Sequence, residues 1–96
     1  MVNGSLKLNT KTKPKGKKNR RCVLIMHNDS VNSFEHVIKT LSNTLPMCNT
    51  LRATQLAHLV HENGSCAVYH GRQVESLMIY AMLNKAGLAI TLEVKK

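Results

Sequence analysis

The chain has 96 residues and a formal net charge of +9. This length allows one domain with a modest core, because such a chain buries only about 60 to 70 % of its unfolded surface. No apolar run is long enough to span a membrane. The three cysteines, Cys22, Cys48 and Cys66, show no CxxC spacing, which favours apolar packing in a reducing cytosol over a disulfide framework.

Most of the positive charge lies near the N-terminus. Residues 1–21 hold eight of the fourteen Lys and Arg and no acid. Their few apolar residues show neither helical nor strand-like spacing, so we expect a disordered basic extension there and a folded domain over 22–96. We expect no secretory signal, since no apolar segment and cleavage site follow the charges. A transit peptide, which also lacks acids, is the alternative.

The first predicted strand is the unbroken apolar run CVLIM at 22–26. Such a run is typical of a strand that is covered on both faces or central in its sheet. Asn32 and Glu35 then have the spacing of a capping box, in which each side chain bonds a backbone N–H of the other residue. Apolar residues follow at helical spacing, so we predict a helix over 33–44 that ends before Pro46.

The rest of the chain predicts two helices and two strands. Gly64 is the candidate C-terminal cap of a helix over 50–62. CAVYH at 66–70 predicts a short strand, and the apolar spacing after it predicts a third helix that stops before Gly87. The alternation in LAITLEV at 88–94 predicts a strand buried on one face. We therefore predict an α+β fold, a small βααβαβ sandwich of three mostly antiparallel strands packed on three helices.

The polar segment HNDSVNS at 27–33 lies between the first strand and the first helix. It has a structural interpretation as a capped turn, because Asn, Asp and Ser commonly bond their own backbone at such places. It also has a functional interpretation as a polar socket. In that socket the amide oxygen of Asn28 and the carboxylate of Asp29 would accept hydrogen bonds from a cation.

Two histidines, His58 and His61, lie near the end of the second helix. A histidine there commonly interacts favourably with the helix C-terminus. The pair could also be half of a metal site that His27, His70 or a cysteine completes. No HExxH, CxxC or HxH pattern supports a metal, so we expect neither a metal nor a cofactor. Without a nucleophile elbow or a close carboxylate pair, we also expect no enzyme activity.

The basic extension could bind nucleic acid through phosphate contacts. The sequence lacks an RNP-like aromatic pair, a GXXG loop and a zinc knuckle, and one Phe, two Tyr and no Trp offer little base stacking. A small basic protein that associates with nucleic acid or the ribosome through its extension is the alternative function.

Four segments of the chain resemble, in order and spacing, the Clp protease adaptor family ClpS over about 22–94. They are VLIMHND, FEHVIKTL, RATQLAHLVHENGSCAVY and GLAITLE. The resemblance implies a non-enzymatic adaptor that binds N-degrons, which are proteins with N-terminal Phe, Tyr, Trp or Leu. It would deliver them to the N-terminal domain of a ClpA- or ClpC-type AAA+ ATPase and its peptidase, with the flexible extension used in delivery. We expect a monomer in the cytoplasm, in the bacterial cytosol rather than the plastid stroma.

Matching family positions imply the roles of single residues. Asn28 and His61 would contact the α-amine of the substrate, with His61 neutral so that its ring presents a lone pair, and Asp29 would add negative field. The resemblance also implies a pocket for the first side chain, with the first two of these residues at its rim: Ser30, Asn32, Phe34, Val37, Ala57, Val60 and Leu88.

Six positions depart from the family pattern. Many relatives have a second acid at Ser30, and an adaptor relative that lost amine recognition there is a further alternative. Ala57 and Phe34 both stand where methionine is common, which predicts a reshaped pocket. Val31-Asn32-Ser33 replaces a frequent Tyr-Thr-Pro, although Asn and Ser can still cap the helix.

Overall fold

The computed structural model describes residues 19–95. In this part of the chain, three helices and three strands follow one another in the predicted order βααβαβ. They are β1 (Arg21–His27), α1 (Phe34–Thr44), α2 (Thr50–Asn63), β2 (Ser65–Arg72), α3 (Gln73–Lys85) and β3 (Ile90–Val94). The strands form one antiparallel sheet in the order β2-β1-β3. The predicted α+β fold is confirmed.

β1 is the central strand of the sheet, as its unbroken apolar run predicted. Cys22, Val23, Leu24 and Met26 are all buried, and β1 has a hydrogen-bonded neighbour on both sides. The strand begins at Arg21, one residue before the predicted start of the folded domain. Of the predicted basic extension over 1–21, residues 1–18 lie outside the described residues, and residues 19 and 20 lead directly into β1.

β2 contains a bulge that the sequence pattern did not predict. Leu24 of β1 pairs with Tyr69, but the next residue of β1, Ile25, pairs with Ala67. Val68 is therefore the extra residue of β2, and it is buried. A bulge of this kind bends the strand and increases its twist.

The three helices enclose a single core together with the sheet. α2 contacts β2, α3 contacts all three strands, and α1 packs against the other two helices. Each layer contributes a fully buried leucine: Leu24 of β1, Leu41 of α1, Leu56 of α2 and Leu83 of α3. Side chains from every layer therefore fill one continuous apolar interior.

The capping box predicted at Asn32 and Glu35 is wrong. The N-terminal cap of α1 is Ser33, whose Oγ accepts a hydrogen bond from the backbone N–H of His36 at 3.1 Å. The side chain of Asn32 is instead fixed by its amide Nδ2, which donates to Asp29 and to the backbone carbonyl of Gly87. By contrast, Gly64 caps the C-terminus of α2 as predicted, with a left-handed φ of +88° that a glycine adopts without strain.

The apolar residues that predicted α3 lie mostly on its exposed side. Val74, Leu77, Met78 and Met82 are exposed, whereas the buried residues of the helix are Ser76, Ile79 and Leu83. The helix is apolar around much of its circumference, so its spacing predicts a helix without selecting the buried face. None of the helices in residues 19–95 combines the length and the apolar character needed to cross a membrane.

Candidate functional site

The polar segment after β1 is tied to two distant parts of the chain by backbone hydrogen bonds. The N–H of His27 donates to the carbonyl of Ala89 at 2.8 Å, next to β3. The N–H of Asn28 donates to the carbonyl of Gly64, also at 2.8 Å. Because Gly64 ends α2, this second bond holds the exit of β1 against the last turn of α2, where His61 lies.

Asp29 organises the turn between β1 and α1. Its Oδ1 accepts hydrogen bonds from the backbone N–H groups of Val31 and Asn32, each at 2.9 Å. Its Oδ2 accepts from the side-chain amide of Asn32 at 3.1 Å. The backbone N–H of Asn32, followed by its side-chain amide, holds the pKa of Asp29 below the usual range, although partial burial opposes this effect. The carboxylate is therefore ionised at neutral pH.

Asn32 connects this turn to the segment before β3. Its Nδ2 donates to the carbonyl of Gly87 at 2.9 Å while it also donates to Asp29. His36, in the first turn of α1, makes a similar contact, in which its ring Nε2 lies 2.9 Å from the carbonyl oxygen of Ala86. The turn predicted from composition is therefore a fixed structure that holds α1 against the end of α3.

An open cavity of about 340 Å³ lies between the exit of β1 and the facing sides of α1 and α2. It brings together residues that are up to 35 positions apart in the chain. The residues that line it are Met26, His27, Asn28, Asp29, Asn32, Phe34, Val37, Ala57, Val60 and His61. Its walls are apolar and buried at Val37, Ala57 and Val60, and Asn28, Asp29 and His61 supply polar atoms.

Eight of the ten residues that sequence reasoning assigned to a site line this cavity. The other two are Ser30, an exposed residue of the turn, and Leu88, a buried residue of the core. Met26 and His27 line the cavity but were not assigned to it. The run CVLIM contains no alternation that would show which way Met26 points. For His27 the sequence suggests only a role as a metal ligand. In the structure its ring Nε2 forms a hydrogen bond with the hydroxyl of Thr91.

The ring of Phe34 contacts two histidine rings. The ring centroid of Phe34 is 5.0 Å from that of His58 and 5.4 Å from that of His61, and both pairs are nearly perpendicular, at 83° and 84°. Edge-to-face pairs in this distance range are favourable. Phe34 is 39 % exposed, so its ring forms part of the open rim of the cavity.

The cavity combines the features that a cationic group attached to an apolar side chain would need. The carboxylate of Asp29, the amide oxygen of Asn28 and the imidazole of His61 can accept hydrogen bonds, and the apolar walls can bury a hydrocarbon group. Among residues 19–95, no three His, Cys, Asp or Glu side chains come together closely enough to hold a metal ion. Fold and cavity together define a small α+β binding protein.

Comparisons with known proteins identify the family. Residues 17–91 match the family model of the ATP-dependent Clp protease adaptor protein ClpS. The ATP-dependent Clp protease adapter protein ClpS of Thermosynechococcus vestitus is 33 % identical over 67 residues, which cover 70 % of this chain and 71 % of that protein. The protein of the same name from Synechocystis sp. is 31 % identical over 67 residues, covering 70 % of this chain and 68 % of the relative.

A solved structure shows the same fold. It is that of Agrobacterium tumefaciens ClpS2 bound to L-phenylalaninamide, with a TM-score of 0.65, 18 % identity, and coverage of 80 % of this chain and 99 % of that chain. The chain belongs to the ClpS family of Clp protease adaptors. Adaptors of this family work with Clp ATPases and their substrates.

Proposed function

We propose that this adaptor binds proteins through a free N-terminal Phe, Tyr, Trp or Leu and delivers them to a Clp AAA+ ATPase and its peptidase. The observation that carries the proposal is the cavity, in which hydrogen-bond acceptors and buried apolar walls share one space. An N-terminal residue of this class presents the matching pair of groups, an ammonium and an apolar side chain. The phenylalaninamide bound to the Agrobacterium tumefaciens relative also combines an amine with an aromatic side chain.

The α-amine would be bound by Asn28, Asp29 and His61. An ammonium group has several N–H donors, and removing it from water requires acceptors at fixed positions. The amide oxygen of Asn28 and a neutral ring nitrogen of His61 would accept its hydrogen bonds. The ionised carboxylate of Asp29 would add negative field from the turn that its own hydrogen bonds hold in place. Acetylation of the substrate removes the charge and should abolish this recognition.

The first side chain would enter the apolar part of the cavity, with Val37, Ala57 and Val60 as its walls. Phe34 and Asn32 would stand at the rim, whereas Ser30 and Leu88 do not line the cavity. Burying a Phe or Leu side chain contributes roughly 1.5 to 3 kcal/mol. With charge-assisted hydrogen bonds of roughly 1.5 to 3 kcal/mol each, less the cost of ordering both partners, we expect micromolar dissociation constants.

Delivery would need no catalysis by this chain, so we propose a non-enzymatic role without cofactor. The partner would be the N-terminal domain of a ClpA- or ClpC-type ATPase, and the basic extension over 1–21 would act in the transfer of the substrate. We propose that the protein works as a monomer in the bacterial cytosol.

Titration of a labelled peptide that begins with Phe tests the proposal. Wild type should bind the free peptide and fail to bind its N-acetylated form, and His61→Ala should weaken binding by at least tenfold, since a hydrogen bond to a charged group is lost. His70→Ala is the matched control, because His70 is also exposed and lies on β2 outside the cavity. Equal binding of free and acetylated peptides by wild type and His61→Ala would contradict the proposed function.

A further inference from the structure

Phe34 is held at the rim of the cavity by contacts that come from α2. It is the first residue of α1, and the rings of His58 and His61 both meet it edge to face. The two histidines lie three residues apart on α2, which places them on the same side of that helix. Phe34 and His61 line the cavity, whereas His58 does not. The ring of Phe34 therefore connects His58 to the cavity.

We propose that His58 is a positioning residue that fixes the ring of Phe34 and thereby makes the cavity prefer an aromatic first residue over leucine. This inference rests on the proposed function and refines its substrate class. A phenylalanine ring at a position that is 39 % exposed has few neighbours to restrict its rotamer. The edge contact with His58, which does not line the cavity, supplies such a restriction.

The preference follows from the contacts that each first residue could make. An aromatic side chain in the cavity can pair with the ring of Phe34, and such pairs contribute beyond the area they bury. A leucine side chain buries area against the same walls but makes no ring pair. Ala57, a small wall residue, leaves room for a planar ring. We expect a Phe peptide to bind about threefold to tenfold more tightly than the matching Leu peptide.

Four proteins and three peptides test the preference. Dissociation constants are measured for peptides that differ only in a first residue of Phe, Leu or N-acetylated Phe. In His58→Ala the Phe-to-Leu affinity ratio should fall to about twofold or less, because Phe34 loses one of its two ring contacts. His58→Tyr restores an aromatic edge at this position and should keep the wild-type ratio. Gln55→Ala, an exposed change on the same helix outside the cavity, should also keep it.

The position of Phe34 can be measured without any peptide. The chain contains one phenylalanine, so incorporation of 4-fluorophenylalanine gives a single fluorine resonance that reports on this ring. We expect His58→Ala to shift this resonance in the free protein and Gln55→Ala to leave it unchanged. Addition of the Phe peptide should move the wild-type resonance further.

The outcomes separate this inference from the proposed function. Equal affinity for the free and the N-acetylated Phe peptide overturns the proposed function and the specificity with it. The absence of binding by all three peptides does the same. Two results would overturn the inference alone, provided that binding still depends on the free amine. The first is equal affinity of wild type for the Phe and Leu peptides, and the second is the same Phe-to-Leu affinity ratio in wild type and His58→Ala. A fluorine resonance that is the same in wild type and His58→Ala also overturns it, since His58 then does not position Phe34.

Discussion

Asp29 and Asn32 hold the turn between β1 and α1 with side chains that bond the backbone. Asp29 accepts from two backbone N–H groups, and Asn32 bridges its carboxylate to the carbonyl of Gly87. The same carboxylate lines the cavity. The structural and the functional interpretations of the polar segment are therefore compatible, because a side chain fixed by its own turn can present its charge at a fixed place.

Replacing Asp29 by alanine should destabilise the fold at neutral pH. The loss of two backbone hydrogen bonds should lower the free energy of unfolding by about 1 kcal/mol, as for the loss of a helix cap. Urea denaturation of wild type and Asp29→Ala at neutral pH measures the difference. Glu62→Ala, which removes an exposed carboxylate at the end of α2, should change the free energy of unfolding much less.

The effect of Asp29→Ala should depend on pH. The pKa of Asp29 is lower in the folded protein than its ordinary value of 3.8. The carboxylate therefore contributes stability above the unfolded pKa, and this contribution is lost as the pH falls through the folded pKa. Wild type and Asp29→Ala should approach the same stability in strong acid. A difference that stays constant from neutral pH to strong acid would show that the charge is not responsible.

At the scale of the elements, α3 depends on a residue far away in the chain for its N-terminal cap. Its cap position, Arg72, makes no side-chain hydrogen bond to the helix. Instead, the Oδ1 of Asn19 accepts a hydrogen bond from the backbone N–H of Val74 at 3.1 Å. Asn19 thereby attaches the segment before β1 to the start of α3, although 55 positions separate the two residues.

Asn19→Ala should weaken the N-terminus of α3. We expect the free energy of unfolding to fall by about 0.5 to 1 kcal/mol, because the backbone N–H of Val74 in the first turn of α3 would lose its acceptor. Thermal or urea unfolding checks this value, with Asn43→Ala, a change at an exposed position in α1, as the control. Equal losses of stability in the two variants would argue against a capping role for Asn19.

At the scale of the whole molecule, most of the positive charge and the cavity belong to different parts of the chain. The residues that line the cavity lie between 26 and 61, whereas more than half of the Lys and Arg lie in residues 1–21. Under the proposed function, deleting the basic extension should therefore separate binding of a substrate from delivery to the ATPase. A deletion that ends at residue 18 keeps Asn19 and its cap on α3, so the folded domain should be preserved.

Deletion of residues 1–18 should leave peptide binding unchanged and abolish delivery. We expect the dissociation constant of the Phe peptide to stay within about twofold of wild type, since none of its proposed contacts is removed. Degradation of a substrate with N-terminal Phe by a ClpA- or ClpC-type ATPase and its peptidase should be lost. RNA binding that weakens steeply with salt and disappears with the deletion, in the absence of peptide binding, would favour the alternative of a nucleic-acid-associated protein.

The amino-acid order was sufficient to predict the elements, because strands and helices are recorded in spacing along the chain. The unbroken run over 22–26 predicted a central strand, and Gly64 predicted the end of α2. Local spacing could not choose between Asn32 and Ser33 as the cap of α1, since either side chain can accept a hydrogen bond from a backbone N–H in the first turn. That choice depends on Gly87, whose carbonyl engages the amide of Asn32 only once α3 and α1 are packed together.

Most of the candidate site residues were proposed from motif positions in the sequence, but their common cavity exists only in the folded chain. Packing brings Asn28 to Gly64 and Phe34 to His58 and His61. It also turns Met26 toward the cavity and Leu88 into the core. Side-chain direction within an unbroken apolar run, and contacts between α1 and α2, depend on the three-dimensional arrangement of the elements. No periodicity along the chain encodes them, whereas the spacing of single elements is local and can be read directly.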